Sequence, residues 1–364
     1  MLQYFLSFFD KNSNIYNLSE YITFRAAFAS ISALLICFII GPWVIKILNK
    51  HQVGEEIRSN GPSSHKVKKG TPTMGGIIIL LAVLIPTIIF SDLNNSLIRI
   101  IIFSTIWMGV IGFIDDYLKV IKKVPLGLIA RYKLIGQILL SLAISYFLFN
   151  FSDFTTKTTI PFLKNTEIDF GLIYPIIIMF VITGTSNAVN LTDGLDGLAT
   201  GLLAISFTVF SAIAYITGRV DFSKYLNILY IPEAGELTIF SAAMAGACIG
   251  YLWYNSFPAE IFMGDTGSLS TGAALGTIAV LLKKEFLLVI IGGVFVIEAL
   301  SVILQISYFK WTKNKTGIGK RIFKMAPIHH HYELSGWKES KVVVRFWIIG
   351  LLLALLSLAT FKIR

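Results

Sequence analysis

The stretch IIIFSTIWMGVIGFIDDYLKV, residues 100–120, decides the fold class of this chain. An uninterrupted apolar run is followed directly by two adjacent carboxylates, Asp115 and Asp116. Because the apolar residues are continuous and do not alternate, the pattern predicts a helix that crosses a membrane. A strand of a membrane β-barrel would instead alternate over about 10 residues. The stretch therefore indicates a membrane helix with two negative charges at its polar end.

The rest of the sequence has the same character. Of its 364 residues, 55% are hydrophobic and only 14% are charged, whereas soluble proteins carry about 25% charged residues. The longest polar gaps, residues 48–73 and 310–341, are too short to form a separate hydrophobic core. We therefore predict an all-α integral membrane protein in which residues 1–364 form one polytopic domain.

Hydropathy predicts ten transmembrane helices. Their approximate bounds are 24–47, 74–91, 98–114, 132–150, 172–190, 197–217, 237–255, 268–282, 286–309 and 342–361. The loops alternate between two sides, and roughly two thirds of the lysines and arginines fall on one side, which the positive-inside rule makes cytoplasmic. Both termini are then expected on the outer side.

The net charge of +10 comes mainly from that cytoplasmic side. Topology and attraction to anionic lipid explain most of it, and a field for a polyanionic substrate is the alternative. Nucleic acid is not an expected partner, because no basic domain with aromatic platforms stands outside the membrane.

The unusual polar motifs all fall on the cytoplasmic side. They are GTPTMGG (70–76), DDY (115–117), NAVNLTDGLDG (187–197), NSFPAEIFMGDTGS (255–268) and APIHHHYE (326–333). A transporter would need polar groups in mid-membrane and access from both faces, but only Glu298 is an acid inside a predicted span. The pattern favours an enzyme with a cleft on the cytoplasmic face, with a transporter as the rival from another class.

These motifs offer hard oxygen ligands from Asp115, Asp116, Asp193, Asp196 and Asp265. Two adjacent acids at the C-terminus of a helix oppose its dipole, and their mutual repulsion favours a cation nearby. Carboxylates suit Mg²⁺ or Mn²⁺, whereas zinc prefers histidine or cysteine.

Each acidic motif also has a purely structural interpretation. The pair at 115–116 could be a solvated helix end, and the segment 187–197 could be a polar turn. Asp265 could simply cap the N-terminus of the eighth span.

The histidines His329, His330 and His331 raise the question of zinc. Consecutive residues on a helix point about 100° apart, so three in a row do not all face one ion. Imidazoles that bind phosphate or transfer a proton fit better. Acids, a metal and the neighbouring lysines are together the components that phosphoryl transfer uses.

Six motifs in this order resemble the bacterial phospho-N-acetylmuramoyl-pentapeptide-transferase family, also called translocase I. They are HKVKKGTPTMGG (65–76), GFIDDYLKV (112–120), ARYKLIGQ (130–137), NAVNLTDGLDGLA (187–199), FMGDTGSL (262–269) and APIHHHYELSGWKESKVVVRFW (326–347). The acidic motifs are shared with the wider superfamily of polyprenyl-phosphate hexosamine-1-phosphate transferases, and PIHHHYE points to the muramoyl-pentapeptide branch.

The resemblance implies an enzyme of the bacterial inner (cytoplasmic) membrane that contacts membrane lipid and forms a homodimer. Its reaction would transfer phospho-MurNAc-pentapeptide from UDP-MurNAc-pentapeptide to undecaprenyl phosphate, with Mg²⁺ as cofactor. The products would be lipid I and UMP. The nearest alternative is a sister transferase that uses UDP-GlcNAc.

The resemblance also implies roles for individual residues. Asp265 would bind Mg²⁺, Asp115 would lie near the lipid phosphate with Asp116 beside it, and His329 would complete the catalytic group. The residues expected at the substrate sites are Lys68, Thr73, Lys133, Asn190, Asp193, Asp196, Asn255, Phe262, His330 and His331. A base role for Asp115 stays open, because a phosphate with a second pKa of about 6 is largely dianionic at pH 7.

Overall fold

The computed structural model describes residues 14–50, 70–124, 127–150, 155–163 and 166–363 of the chain. Helices α1 to α5 are Asn14–Glu20, Ile22–Lys50, Gly76–Phe90, Ser96–Val120 and Ala130–Phe149. Helices α6 to α10 are Tyr174–Thr192, Leu198–Thr217, Val220–Leu226, Leu237–Asn255 and Gly264–Leu281. Helices α11 to α14 are Glu285–Ile291, Gly293–Thr316, Ile328–Glu333 and Glu339–Ile363.

A single β-hairpin interrupts the helices of the described chain. Strands β1 (Lys157–Thr159) and β2 (Glu167–Asp169) pair antiparallel, with Lys157 opposite Asp169. The hairpin lies between α5 and α6, in the loop that the sequence places on the outer side.

The all-α membrane class is confirmed. Among the described residues, eight helices are long and apolar enough to cross a membrane. The predicted span 74–91 corresponds to α3, which has only 15 residues, and the predicted span 268–282 corresponds to α10, which is not among the eight. The predicted span 286–309 consists of two helices, α11 and α12, that meet at Gly292.

Helix α10 is the central helix of the bundle and packs against α4 and α6. Every residue from Thr266 to Leu281 is buried. Small residues allow the close approach of its neighbours: a Cβ at Gly272 would lie 2.8 Å from the Cα atom of Ser186 on α6. Because protein and not lipid surrounds α10, it can be rich in glycine, serine and threonine, which explains its low hydropathy.

Candidate active site

Three aspartates from two helices meet at the N-terminal end of α10. Asp115 and Asp116 lie near the C-terminal end of α4, and Asp265 lies in the first turn of α10. One carboxylate oxygen from each of the three lies within 4.8 Å of the others. Asp115 and Asp116 are buried, whereas Asp265 is partly exposed. The fold therefore joins acids from two distant motifs into one cluster.

Asp116 caps α10 from outside that helix. Its Oδ1 accepts a hydrogen bond from the backbone N–H of Asp265 at 3.0 Å, and its Oδ2 accepts one from the backbone N–H of Thr266 at 2.8 Å. The Thr266 hydroxyl also donates to Oδ2 at 2.6 Å. The free N–H groups at a helix N-terminus favour a negative charge. Asp116 therefore holds Asp265 in position beside the cluster.

Asp115 and Asp265 share two ammonium groups. Lys133 Nζ lies 2.8 Å from Asp115 Oδ2 and also contacts Asp265 Oδ2. Lys119 Nζ lies 2.5 Å from Asp115 Oδ2 and 3.1 Å from Asp265 Oδ2. The two lysines neutralise carboxylates that would otherwise repel each other.

Lys119 was missed in the sequence analysis, although a signal for it exists. It follows Asp115 by four residues on α4, and residues with that spacing are neighbours on a helix surface. The other oxygen of Asp115, Oδ1, accepts a hydrogen bond from the backbone N–H of Leu128 at 2.6 Å.

The acidic cluster has the donor atoms that a hard divalent cation requires. Carboxylate oxygens are the usual protein ligands of Mg²⁺, and among the described residues this is the one group of three or more His, Cys, Asp or Glu side chains close enough to share an ion. Lys119 and Lys133 show that the space between Asp115 and Asp265 accepts positive charge. The residues present therefore fit Mg²⁺, with Asp265 as the candidate ligand.

The segment 70–76 lies directly beside the cluster. The backbone N–H of Phe262 donates to the carbonyl of Pro72, and the N–H of Gly75 donates to the carbonyl of Phe262, both at 2.8 Å. Thr73 is buried against Gly264, where φ is +69° and a Cβ would lie 2.7 Å from an Asp116 oxygen. Only glycine fits at position 264, so the FMGDTGSL motif (262–269) allows the start of α10 to lie close to Asp116.

Two asparagines connect segments around the acidic cluster. Asn190 on α6 donates to Asp265 Oδ1 at 2.8 Å, which places it in the cluster. Asn255 is buried, and its Oδ1 accepts hydrogen bonds from Thr200 and from the backbone of Gly197. Its Nδ2 donates to the carbonyl of Ile261 at 2.9 Å. In this structure Asn255 fastens the loop after α6 to the segment before α10.

The aspartates of the DGLDG turn differ in their surroundings. Asp193 ends α6 and is partly exposed. Asp196 is buried, and its Oδ2 accepts a hydrogen bond from the backbone N–H of Ala259 at 3.0 Å. The backbone N–H of Asp196 donates to Glu339 Oε1 at 2.9 Å. Glu339, which was not among the predicted site residues, therefore anchors this turn to α14.

The three histidines of α13 have three different sets of neighbours. His329 is buried, and its Nδ1 lies 3.1 Å from Glu298 Oε2. Nδ1 of His330 lies 2.8 Å from an oxygen of Glu333. Nδ1 of His331 accepts a hydrogen bond from the backbone of Lys324. The rings thus face separate partners, as their helical spacing predicts.

One predicted substrate residue, Lys68, lies outside the described residues, so its role stays a prediction.

Comparisons with known proteins support one family. Residues 98–283 match the model of glycosyl transferase family 4, and residues 68–80 match a phospho-N-acetylmuramoyl-pentapeptide-transferase signature. A protein of that name from Desulforapulum autotrophicum is 50% identical over 364 residues, which cover all of both chains. Another from Thermodesulfovibrio yellowstonii is 54% identical over 350 residues, or 96% of each chain.

Proposed function

The chain belongs to the phospho-N-acetylmuramoyl-pentapeptide-transferase family and is a membrane transferase of peptidoglycan synthesis, and from this premise we propose its full reaction. Phospho-MurNAc-pentapeptide passes from UDP-MurNAc-pentapeptide to undecaprenyl phosphate, which gives lipid I and UMP. The enzyme works at the cytoplasmic face of the bacterial inner membrane, as a homodimer with both termini outside.

The observation that carries this proposal is the pair of carboxylates with shared lysines. Asp115 and Asp265 each contact both Lys119 and Lys133. Phosphoryl transfer requires mainly the positioning of two phosphates and the neutralisation of their charge. Because each ammonium group has two carboxylate partners, it can turn toward a phosphate while one carboxylate still holds it.

Mg²⁺ held by Asp265, when bound, would supply further neutralisation of the donor diphosphate. The chain itself provides the fixed frame around that charge. Asp116 keeps Asp265 in place by accepting a hydrogen bond from its backbone N–H in the first turn of α10. Asn190 donates a hydrogen bond to Asp265 Oδ1.

Asp115 orients the acceptor phosphate through its lysines. Its Oδ1 is engaged by the backbone of Leu128, and its Oδ2 contacts Lys119 and Lys133. Three donors therefore occupy most of the roughly four lone-pair sites of this carboxylate and stabilise its charged form. This arrangement favours electrostatic positioning of the lipid phosphate over proton removal.

The donor is expected next to the acids. His329 Nε2 approaches Gly194 of the DGLDG turn. Asp196 of the same turn accepts a hydrogen bond from the backbone of Ala259, in the segment that leads to Asp265. The acceptor carries a long apolar tail, so it must approach from the bilayer between membrane helices. A cleft that opens sideways at the cytoplasmic face meets both requirements.

Purified protein in lipid nanodiscs, supplied with UDP-MurNAc-pentapeptide, undecaprenyl phosphate and Mg²⁺, tests the proposal. We expect equal amounts of UMP and lipid-linked product, and no turnover when a chelator removes the metal. Absence of UMP with both substrates present would contradict the proposal. Turnover with UDP-GlcNAc instead would identify the sister transferase, and solute flux in proteoliposomes would identify a transporter.

A further inference from the structure

Glu298 is an acid inside a membrane helix, and the proposed reaction gives it no role. It lies on α12 and is fully buried, although only 28% of the most apolar part of that helix is covered by the rest of the described chain. A carboxylate in such surroundings is costly unless it has a partner. Its position therefore calls for a specific neighbour.

That neighbour is His329. The Nδ1 atom of His329 lies 3.1 Å from Glu298 Oε2, and both side chains have zero exposure. The two groups are at hydrogen-bond distance without being aligned for one, and none of their four polar atoms has another hydrogen-bond partner among the described residues. A small rotation of the imidazole would bring its Nδ1–H into line with the carboxylate.

The opposite edge of the imidazole faces the DGLDG turn. A Cβ placed on Gly194 would lie 2.5 Å from His329 Nε2. Gly194 follows Asp193, which is partly exposed. The ring of His329 therefore lies between the buried Glu298 carboxylate on one edge and the DGLDG turn, where the donor is expected, on the other.

We propose that Glu298 is a positioning residue that sets the tautomer of His329. When Glu298 is ionised, its carboxylate can only accept a hydrogen bond, so Nδ1 carries the proton in this pair. The neutral imidazole then presents its lone pair on Nε2 toward Gly194. Carboxylates orient histidine in this way in many metal and catalytic sites.

This inference rests on the proposed function for what Nε2 meets, since that partner is the nucleotide-sugar donor. The orientation of the ring does not depend on the identity of the substrate. The two parts can therefore be tested separately.

The first test is kinetic and compares Glu298→Gln, Glu298→Asp and the control Glu285→Gln. A glutamine amide can donate to Nδ1 or accept from it, so it removes the preference for the tautomer that is protonated on Nδ1. We expect Glu298→Gln to lower kcat about 10- to 100-fold, as loss of an orienting partner does elsewhere, with KM for the donor little changed. Glu298→Asp should recover part of the loss because it keeps a carboxylate, which can only accept.

Glu285 provides a matched control because it is also a buried acid, on the adjoining helix α11. Its partners are Thr158 and Tyr174 instead of a histidine. We expect Glu285→Gln to lower the thermal unfolding midpoint while kcat stays at the wild-type value. If Glu298→Gln only lowers the midpoint and leaves kcat unchanged, Glu298 has a purely structural role and the proposal fails.

The second test needs no substrate. Nitrogen-15 NMR of histidine-labelled protein in nanodiscs distinguishes the protonated ring nitrogen from the bare one, with the His329 signals assigned from a His329→Asn sample. We expect the proton on Nδ1 in the wild type and a larger population with the proton on Nε2 in Glu298→Gln. Equal tautomer populations in both proteins would overturn the inference. A wild type that shows the expected tautomer but releases no UMP would overturn the proposed function alone.

Discussion

The two ends of α10 carry buried charge in different ways. At its N-terminal end, Asp115 and Asp265 share two lysines, of which Lys119 is 37% and Lys133 20% exposed. Just after its C-terminal end, Lys283 and Glu285 are 4% and 5% exposed. The first cluster is partly exposed and is called the open cluster, whereas the second is buried and is called the closed cluster.

The closed cluster is held from several elements at once. The Glu285 carboxylate accepts hydrogen bonds from Tyr174 and, at 3.0 Å, from Thr158 on strand β1. Lys284 donates to Thr159 on the same strand at 3.3 Å. Lys283 Nζ lies 4.0 Å from the centroid of the Tyr174 ring. These contacts fasten the β-hairpin to the turn between α10 and α11.

If the proposed function holds, this difference separates a catalytic cluster from a structural one. Each cation of the open cluster has two interchangeable carboxylate partners, so a phosphate can replace one of them. In the closed cluster the Glu285 carboxylate has a different donor, Tyr174 or Thr158, for each of its oxygens. Changes in the open cluster should therefore affect turnover, and changes in the closed cluster should affect stability.

The largest effect is expected from Asp265→Asn. Loss of the carboxylate removes the candidate metal ligand and the second partner of both lysines. We expect Mg²⁺-dependent UMP release to fall on the order of 100- to 1,000-fold, with the thermal unfolding midpoint close to that of the wild type. Asp169→Asn, on the exposed strand β2, serves as the control. Near-normal turnover in Asp265→Asn would remove the metal assignment.

A change at Asp116 should affect both properties. Asp116→Asn keeps the shape of the side chain but removes the charge that faces the N-terminus of α10. We expect a loss of about 1 kcal/mol in the free energy of unfolding, typical of a helix cap, together with about tenfold lower turnover because Asp265 moves. Denaturation and UMP release measured on one preparation check this. Full activity in a destabilised variant would show that Asp116 does not position Asp265.

The closed cluster gives the opposite expectation. Glu285→Gln leaves Tyr174 and Thr158 with a weaker acceptor and Lys283 without its nearby charge. We expect a loss of about 1–3 kcal/mol in the free energy of unfolding, as for other buried polar groups that lose a charged partner, and unchanged turnover. A loss of turnover in a Glu285→Gln protein of normal stability would show that the closed cluster also contributes to activity, and it would contradict the division between the two clusters.

The smallest effect is a dependence of stability on pH. Burial lowers the pKa of Lys283 from 10.5 to about 7, and the nearby Glu285 charge partly opposes that decrease. Between these two pH values the folded protein binds fewer protons at this site than the unfolded protein does, so stability should rise with pH over that interval. Thermal unfolding of the wild type and of Lys283→Met checks this, since the rise contributed by Lys283 should disappear in the variant. An equal rise in both proteins would assign it to other groups.

Much of the fold follows from local features of the sequence. The length of each apolar run determines which segments form membrane helices, because the backbone of a crossing segment must satisfy its own hydrogen bonds. Each of the ten predicted spans therefore coincides with a helix or a pair of helices. The break at Gly292 between α11 and α12 escaped prediction because the apolar run continues through it.

The sequence motifs also identified the family and predicted a candidate site, because the polar groups are clustered in short segments. The resemblance assigned Asp115 and Asp265 to the catalytic group and Lys133 and Asn190 to the substrate sites, and the structure brings these four side chains together. The role of each side chain depends on its distance from residues elsewhere in the chain, which no local pattern contains.

The tertiary structure alone decided how those groups are paired. It assigned Asp116 to the first turn of α10, set Glu298 beside His329, and anchored the DGLDG turn to α14. Such pairs join residues far apart in the sequence, so they arise only when packed helices fix the distance between them. Hydropathy and motifs therefore determine which helices form and what chemistry they carry, whereas helix packing decides which charges meet.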